Sequence, residues 1–225
     1  MTLAATRRWQ AAPTSPPTRR MKVLAVGSQK GGAAKSTTSL YLATRFAEYL
    51  GGTEDERVVG LLDRDGTSKN LSQMIDYRPE LLRPGVKLLD GEALPREDER
   101  LKLIVIDTPP GLAAIDSLKS ADLLVVPVVP SDQGVLNLQR YLQILETQRI
   151  LLNPQMRVLA LLPANVENTA LHRARLDDIR AVAATQRIPL PVLSPVPHRA
   201  RIDRWDLTAP EYNAPAKELF EYARV

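Results

Sequence analysis

Short apolar runs alternate along this chain with longer segments in which apolar residues recur at helical spacing. The apolar runs fall at residues 22–26, 58–62, 86–89, 101–106, 123–129, 158–162 and 190–193. The helical segments fall at residues 36–50, 71–75, 112–119, 170–185 and 214–223, and a further long helix begins at Ser131 or Asp132. Strands that alternate with helices favour an α/β fold, in which a mostly parallel, twisted sheet carries helices on both faces. In such sheets, ligands bind at the carboxyl ends of the strands.

The composition excludes several kinds of site. The chain has 225 residues, which suits one medium domain with a substantial core. It contains no cysteine, so disulfide frameworks, thiol nucleophiles and cysteine-bound zinc are excluded. Its two histidines, His172 and His198, are too few to favour a histidine-built metal centre. The sequence has no run of about 18 apolar residues that would predict a transmembrane helix.

The formal net charge of +4 arises from residues 1–20. That segment holds Arg7, Arg8, Arg19 and Arg20 and no acidic residue, whereas the rest of the chain has 26 basic and 26 acidic side chains. The segment is rich in Pro, Ala and Thr and lacks an apolar period, which predicts a flexible basic arm followed by a folded domain over residues 21–225. The arm is either functional or an inert tail, and the overall charge does not by itself indicate that the folded domain binds nucleic acid.

A glycine-rich loop over residues 29–37 (QKGGAAKST) lies between the first predicted strand and the first long helix. A loop at that position turns successive backbone N–H groups toward one point beside a helix N-terminus, which forms an anion site. Gly31 and Gly32 let the backbone approach phosphates without a clash from Cβ. Lys35 is placed to reach the β- and γ-phosphates, and the Ser36 hydroxyl is placed to bind Mg²⁺. The alternative is a glycine-rich turn with two solvated lysines.

This loop departs from the general pattern G-x-x-x-x-G-K-[ST], because Gln29 and Ala34 occupy the two glycine positions. It matches instead the variant K-G-G-x-x-K-[ST], in which Lys30 supplies a second lysine. The chain therefore resembles the ParA/MinD family of P-loop ATPases with a deviant Walker A motif. The resemblance implies a P-loop NTPase-like fold that binds ATP and Mg²⁺, and a homodimer in which Lys30 reaches the partner's nucleotide. The nucleotide-binding residues that it implies are Lys30, Gly31, Gly32, Ala33, Ala34, Lys35, Ser36 and Thr37.

An acidic motif follows the next strand, at residues 63–67 (DRDGT). It matches the family's D-x-D-P-Q at both aspartates and departs from it at Gly66 and Thr67. By resemblance, Asp65 orients the attacking water and Asp63 shapes the surroundings of Mg²⁺. The catalytic residues that the resemblance implies are Lys30, Lys35 and Asp65. The alternative is an ordinary strand-end turn rich in Asp and Gly.

A second acidic motif and two later positions complete the expected nucleotide site. The strand over 101–106 leads into Asp107 and the segment 108–111 (TPPG). By resemblance, Asp107 holds a Mg²⁺-bound water, since Mg²⁺ retains several waters, and the segment after it forms a second switch. The metal-site residues that this implies are Ser36, Asp63 and Asp107. Asn165 and Pro197 match positions that contact the base, although both are also common turn residues.

The resemblance leaves two kinds of output, membrane binding and DNA binding. Residues 214–225 (APAKELFEYARV) carry two basic and two acidic side chains, which predicts a helix packed on the core and no membrane partner. Residues 170–205 contain seven arginines against three aspartates, and arginine suits bidentate contact with phosphates. The expected contacts to non-specific DNA are Arg173, Arg175, Arg199, Arg201 and Arg204. The alternative is a solvated helix face with charge pairs.

These motifs predict a DNA-segregation ATPase for plasmid or chromosome partition, located in the cytoplasm and associated with the nucleoid. ATP would close a homodimer that holds DNA, and a centromere-bound adaptor protein would stimulate hydrolysis and so release it. Three alternatives stay open: a ParA-like ATPase that positions a protein assembly or organelle, a nucleotide switch with negligible hydrolysis, and a metabolic P-loop ligase or reductase. The absence of cysteine and the chain length disfavour the last, because such relatives use cysteine-bound clusters or additional substrate domains.

Overall fold

The computed structural model describes residues 21–65, 70–90, 94–95 and 100–223, without the side chains of residues 70 and 112. The predicted basic arm and the departures at Gly66 and Thr67 lie outside the described residues. The described strands are Lys22–Val26 (β1), Val59–Asp63 (β2), Val86–Leu89 (β3), Leu103–Asp107 (β4), Leu123–Val128 (β5) and Arg157–Pro163 (β6). The described helices are Lys35–Tyr49 (α1), Asn70–Tyr77 (α2), Ile115–Lys119 (α3), Asp132–Leu152 (α4), Ala170–Ala184 (α5), Ala200–Asp203 (α6) and Asn213–Ala223 (α7).

The six described strands run parallel in one sheet, in the order β3-β2-β4-β1-β5-β6. This arrangement confirms the predicted fold class. The register pairs Asp107, the last residue of β4, with Val26 on one side and Asp63 on the other. The loops after β1, β2 and β4 therefore leave the sheet at the same carboxyl edge, and the predicted phosphate loop meets both acidic motifs there.

Helices cover both faces of the sheet in two apolar clusters. One cluster includes residues of α1, α2 and α7, and the other includes residues of α3, α4 and α5. Helix α1 is buried on every side from Thr38 to Ala47, whereas a surface helix shows a single apolar stripe. Its outer side is covered because α7 and the segment before α7 pack over it.

The predicted strand over 190–193 is wrong. This segment makes only an isolated bridge between Leu161 and Val192. Leu161 N donates to Pro191 O, and Leu193 N donates to Leu161 O, each at 2.9 Å. A proline has no N–H to donate to a ladder, and since prolines lie inside and on both sides of this run, the pairing cannot extend into a strand. The segment instead runs along the edge of β6.

Both long helices on the α4 side begin at residues whose hydroxyl groups cap the helix. Ser131 Oγ accepts a hydrogen bond from Gly134 N at 3.0 Å and caps α4. Thr169 caps α5 in the same way, by accepting from His172 N at 3.1 Å. These bonds satisfy N–H groups that have no partner within the helix, and they fix where each helix starts above the sheet edge.

The C-terminal helix α7 packs on the core as predicted. Its Leu219 and Ala216 are fully buried, and Phe220 contacts the rings of Phe46 and Tyr49 on α1, with ring centroids 5.6 and 5.3 Å apart. Across the residues that the structure describes, no helix combines the length and apolar character needed to cross a bilayer.

Candidate nucleotide-binding site

The phosphate loop turns through two left-handed residues. Gly32 has φ 77°, and Ala34 has φ 59° and ψ 28° immediately before α1 begins at Lys35. Alternating right- and left-handed backbone points successive N–H groups into one concavity, to which the free N–H groups of the first helical turn add. Glycine adopts the left-handed region freely, whereas this conformation costs an alanine roughly 1 kcal/mol. The loop therefore has the backbone of an anion-binding nest and is strained at Ala34.

The two lysines of the loop have different surroundings. Lys35 is 7% exposed, and burial lowers its pKa below the ordinary value, while the negative charges of Asp107 and Asp65 oppose that shift. Lys30 is exposed at the outer side of the loop. A buried cation beside two carboxylates can contact phosphates only from within its own subunit, whereas an exposed cation is available to a second molecule.

Asp107 lies beneath the start of α1 and is 1% exposed. Burial raises its pKa to about 7; the nearby Asp63 acts in the same direction, and a hydrogen bond from Ser36 opposes it. Its Oδ1 accepts a hydrogen bond from Ser39 Oγ at 3.2 Å, whereas Oδ2 is buried without a hydrogen-bond partner. A buried carboxylate oxygen without a donor indicates a place where a cation, or water bound to one, is held.

This arrangement fits Mg²⁺. The Ser36 hydroxyl and the Asp107 carboxylate supply the hard oxygen atoms that Mg²⁺ prefers, either directly or through bound water. In the described part of the chain, no group of three or more His, Cys, Asp or Glu side chains could hold a metal ion. A Mg²⁺ ion here would therefore take most of its ligands from nucleotide phosphates and water, and it would neutralise charge on those phosphates.

Asp63 and Asp65 open the first switch. Asp63 Oδ1 accepts a hydrogen bond from Asp65 N at 3.0 Å, and its Oδ2 accepts from Ser72 N and Oγ at 2.9 and 3.0 Å. Both oxygens of Asp63 thus hold the turn and the start of α2, and its negative charge acts on Asp107. Asp65 is half-buried and lies near enough to Lys35 to influence its pKa. The metal-site role of Asp63 and the water-orienting role of Asp65 stay predictions.

The second switch is attached directly to the phosphate loop. Gly111 N donates to Ser28 O at 2.9 Å. Gly111 has φ 62°, and a Cβ at this position would lie 3.2 Å from Gln29 O. At the other end of the switch, Thr108 Oγ1 donates at 2.9 Å to the carbonyl that ends β1. A movement of this switch is therefore transmitted to the loop that would hold the phosphates.

The structure brings the two predicted base-contact residues together. Asn165 follows β6 with φ 54°, a left-handed conformation that asparagine tolerates. Its neighbour Val166 forms a parallel bridge with Pro197, and His198 N donates to Val166 O at 2.9 Å. Asn165 and Pro197 are both half-buried at the carboxyl edge of the sheet, beyond β6. Their contact with a base stays a prediction.

A polar face of α1, which the sequence analysis did not identify, holds the segment between α6 and α7. Thr38 Oγ1 lies 3.2 Å from Tyr212 Oη, and the rings of Tyr41 and Tyr212 stack with centroids 4.4 Å apart. Tyr41 Oη donates to Asp206 O at 2.7 Å, and Arg45 Nη2 donates to two further carbonyls of this segment at 2.9 and 3.1 Å. The spacing of Thr38, Tyr41 and Arg45 puts them on one helical face, and this was the available sequence signal.

Two of the five predicted DNA-contact arginines are engaged in ion pairs. Arg175 Nε lies 2.8 Å from Asp132 Oδ1 and also pairs with Asp178. Arg201 Nε donates to Glu211 Oε1 at 2.9 Å. These guanidinium groups would have to leave, or share, a carboxylate in order to contact a phosphate.

The other three arginines have neutral surroundings. Arg173 Nη1 donates to Asn168 Oδ1 at 2.8 Å, and Arg199 Nη1 donates to the backbone carbonyl before it at 3.0 Å. Among the described residues, no ion pair forms with Arg173, Arg199 or Arg204. All three side chains are exposed around the start of α5 and the two ends of α6, which the bridge beside Pro197 brings close together. The DNA contacts stay predictions.

A family model described as the CobQ/CobB/MinD/ParA nucleotide binding domain matches residues 24–209. The chain belongs to this family. The match runs from β1 into the segment after α6 and therefore includes the phosphate loop, both acidic motifs and the Asn165–Pro197 region. This membership confirms the family resemblance from which the site residues were predicted.

Individual relatives are distant. The chain is 28% identical over 172 residues to the chromosome-partitioning ATPase Soj of Thermus thermophilus, which covers 64% of this chain and 69% of Soj. Apo McdA from Cyanothece matches with a TM-score of 0.72 at 18% identity, over 90% of this chain and 99% of McdA. Cobyrinic acid a,c-diamide synthase from Mycobacterium smegmatis, solved with ADP and magnesium, matches at 0.68 and 22% identity, over 91% and 94%. At these identities the two structural matches show the fold alone.

Proposed function

We propose that this chain is a DNA-segregation ATPase that couples its nucleotide state to dimerisation and to non-specific DNA binding. The observation that carries the proposal is the contrast between the two loop lysines, since Lys35 is buried beside Asp107 and Asp65 whereas Lys30 is exposed. One lysine suffices for phosphates bound within a subunit, so an exposed second lysine in the same loop suits a contact with the partner's nucleotide. The similarity to Soj, named a chromosome-partitioning ATPase, supports the partition role.

Each residue of the site has a distinct part in this proposal. Lys35 and the N–H groups of the loop bind the phosphates, and Ser36 and Asp107 hold Mg²⁺. Asp65 holds water in line with the γ-phosphate. Lys30 from each subunit completes the partner's site, so the dimer closes only around a triphosphate. Loss of the γ-phosphate removes part of the negative charge between the two subunits and favours their separation.

Two lysine variants test this assignment. Lys35→Ala should abolish nucleotide binding, whereas Lys30→Ala should still bind nucleotide but fail to dimerise with ATP. Calorimetry measures the first effect, and light scattering with and without ATP measures the second. Dimerisation of Lys30→Ala at the parent's nucleotide concentration would remove the role proposed for Lys30. Asp65→Ala should form an ATP-dependent dimer that hydrolyses slowly.

The exposed arginines support DNA as the partner. Arg173, Arg199 and Arg204 have no carboxylate within ion-pair distance in the described part of the chain. Unpaired guanidinium groups can contact DNA phosphates without first breaking an internal bond. ATP-dependent co-sedimentation with DNA at two salt concentrations tests this, because binding through phosphates weakens steeply with salt. Binding that does not depend on ATP would remove the link between the nucleotide state and DNA. The centromere-bound adaptor is to be sought by pulldown with the ATP-bound dimer.

A nucleotide switch with negligible hydrolysis is the second candidate, and Ala34 favours it. Its left-handed backbone places a Cβ where the general loop pattern has glycine, beside the expected phosphates. Single-turnover measurement of ATP cleavage with saturating protein separates the two functions. Cleavage only at the rate of ATP in buffer would favour the switch.

A further inference from the structure

A second pocket opens on the α4 side of the phosphate loop. It has a volume of about 230 Å³, and its walls come from residues 28–33 of the loop, residues 126–129 at the end of β5, and the first turns of α4. Its lining includes none of the residues assigned above to Mg²⁺, to the base, or to phosphates from within the helix: Lys35, Ser36, Thr37, Asn165 and Pro197. The pocket thus shares only the outer part of the loop with the expected nucleotide site.

Two buried polar atoms line this pocket from different elements and have no hydrogen-bond partner. They are Tyr141 Oη, from α4, and Gln29 Oε1, from the loop. Tyr141 is 2% exposed, and its hydroxyl reaches the base of the loop, where a Cβ on Gly27 would lie 2.6 Å from Oη. Burial raises the pKa of Tyr141, so the hydroxyl keeps its proton and can donate. Since buried polar groups are nearly always paired, two such atoms facing one cavity indicate a polar ligand.

The charges around the pocket favour an anion. Lys30 lines it, and no Asp or Glu belongs to its lining. The positive end of the 21-residue helix α4 forms one wall, at its cap Ser131. The carboxylate in the first turn of α4, Asp132, is paired with Arg175 at 2.8 Å and lies outside the lining.

We propose that this pocket is a second ligand site, which binds a small anion bearing a phosphate or carboxylate group. The Tyr141 hydroxyl donates to the anion, the amide group of Gln29 provides a second polar contact, and Lys30 supplies the positive charge. A cavity of about 230 Å³ is smaller than the sites of drug-sized ligands, so the ligand is a phosphate ion or a small metabolite. Binding does not depend on the proposed DNA function; only the further expectation that the anion draws Lys30 away from a partner rests on it.

Calorimetry with two anions tests the site. Inorganic phosphate and citrate are titrated separately into the full chain saturated with Mg²⁺ and a non-hydrolysable ATP analogue, so that the positions of the nucleotide phosphates are filled. We expect one site per chain for at least one anion. Tyr141→Phe should weaken binding about tenfold or more, because it removes a hydrogen bond to a charged group. Tyr222→Phe, on the exposed side of α7, is the matched control and should change nothing. Binding of phosphate alone identifies a phosphate site, whereas binding of citrate identifies a carboxylate site.

Two more variants separate this site from the nucleotide site. Asn137→Ala removes a carboxamide from the pocket wall at a partly exposed position of α4, and it should also weaken the anion's binding. Lys35→Ala, tested without nucleotide, should keep the anion even though nucleotide binding is abolished. If Lys35→Ala abolishes anion binding and Tyr141→Phe keeps it, the anion occupies the phosphate loop and the proposal is overturned. The absence of binding by both anions in the parent chain overturns it as well.

Discussion

The Ser39 hydroxyl donates to Asp107 Oδ1 at 3.2 Å and so joins the helix after the phosphate loop to the end of β4. The same hydroxyl also donates to Lys35 O at 3.0 Å, one turn earlier in α1. Asp107 is therefore held from one side only, and its Oδ2 is left without a donor inside the protein. A carboxylate held in this way is unfavourable when ionised and unaccompanied, and it becomes favourable when a cation is bound nearby.

Replacing Asp107 with Asn should stabilise the nucleotide-free protein at high pH while weakening Mg²⁺-dependent nucleotide binding. Folding raises the pKa of Asp107 from 3.8 to about 7, so the folded state binds the proton more tightly than the unfolded state does. The stabilising effect of that proton is complete below the unfolded pKa and is lost as pH rises to about 7. Asn cannot ionise, so Asp107→Asn should raise the free energy of unfolding by roughly 1–3 kcal/mol at pH 8.

Urea unfolding without nucleotide, at pH 5 and pH 8, checks this expectation. The gain from Asp107→Asn should be larger at pH 8 than at pH 5. An equal gain at both values would show that the pKa of Asp107 is not raised by folding.

Replacing Ala34 with Gly should stabilise the protein by about 1 kcal/mol, because it relieves the left-handed backbone at φ 59°. Ala33→Gly is the matched control, since Ala33 precedes it in the same loop and does not have a left-handed backbone. The control should give no gain, because glycine there only increases the freedom of the unfolded chain. Thermal and urea unfolding measure both variants. A loss of stability in Ala34→Gly would mean that residue 34 is not strained.

Replacing Gly111 with Ala should destabilise the protein by about 1–2 kcal/mol, since the left-handed backbone disfavours a side chain. The added Cβ would also lie 3.2 Å from Gln29 O and press on the phosphate loop. We therefore expect weaker nucleotide binding together with lower stability. Gly31→Ala is the control for stability, because its Cβ would meet no protein atom within 4 Å. Equal destabilisation of the two variants in urea would show that the contact between the second switch and the loop is unimportant.

The free and paired arginines should differ in DNA binding. Replacing Arg173, Arg199 and Arg204 with Ala together should weaken ATP-dependent DNA binding. The slope of log affinity against log salt should fall by about 0.9 for each DNA phosphate that the variant no longer neutralises. Replacing Arg175 and Arg201 should have a smaller effect, because ion pairs already occupy them. Fluorescence anisotropy with a duplex at several salt concentrations measures both sets, and a larger effect from the paired set would reverse the assignment.

The sequence predicted the elements well where they depend on local pattern. The strands Lys22–Val26 and Val86–Leu89 lie at their predicted bounds, and α5 ends one residue before its predicted end. The segment 190–193 failed because apolar character does not reveal whether a proline interrupts the ladder. The family resemblance placed Asp107 correctly at the end of a buried strand beside the phosphate loop.

Contacts between distant segments escaped the sequence analysis. Ser72 holds Asp63, and Asp132 holds Arg175, but nothing in the period of either helix indicates these partners. The helical period identified the apolar side of α1 and gave no information on what its opposite side contacts. A charge count over residues 170–205 likewise could not distinguish paired arginines from free ones, because pairing depends on carboxylates elsewhere in the chain.

The attachment of α1 to the segment before α7 restricts how the cleft can open. Tyr41 and Arg45 fix three backbone carbonyls between α6 and α7, and Thr38 and Tyr41 contact the Tyr212 side chain. The base-side wall therefore moves with the floor of the cleft as one body. Entry and exit of nucleotide must come from the opposite rim, where the two switches lie. Amide hydrogen exchange should accordingly be slow in residues 206–212 and fast around Asp65.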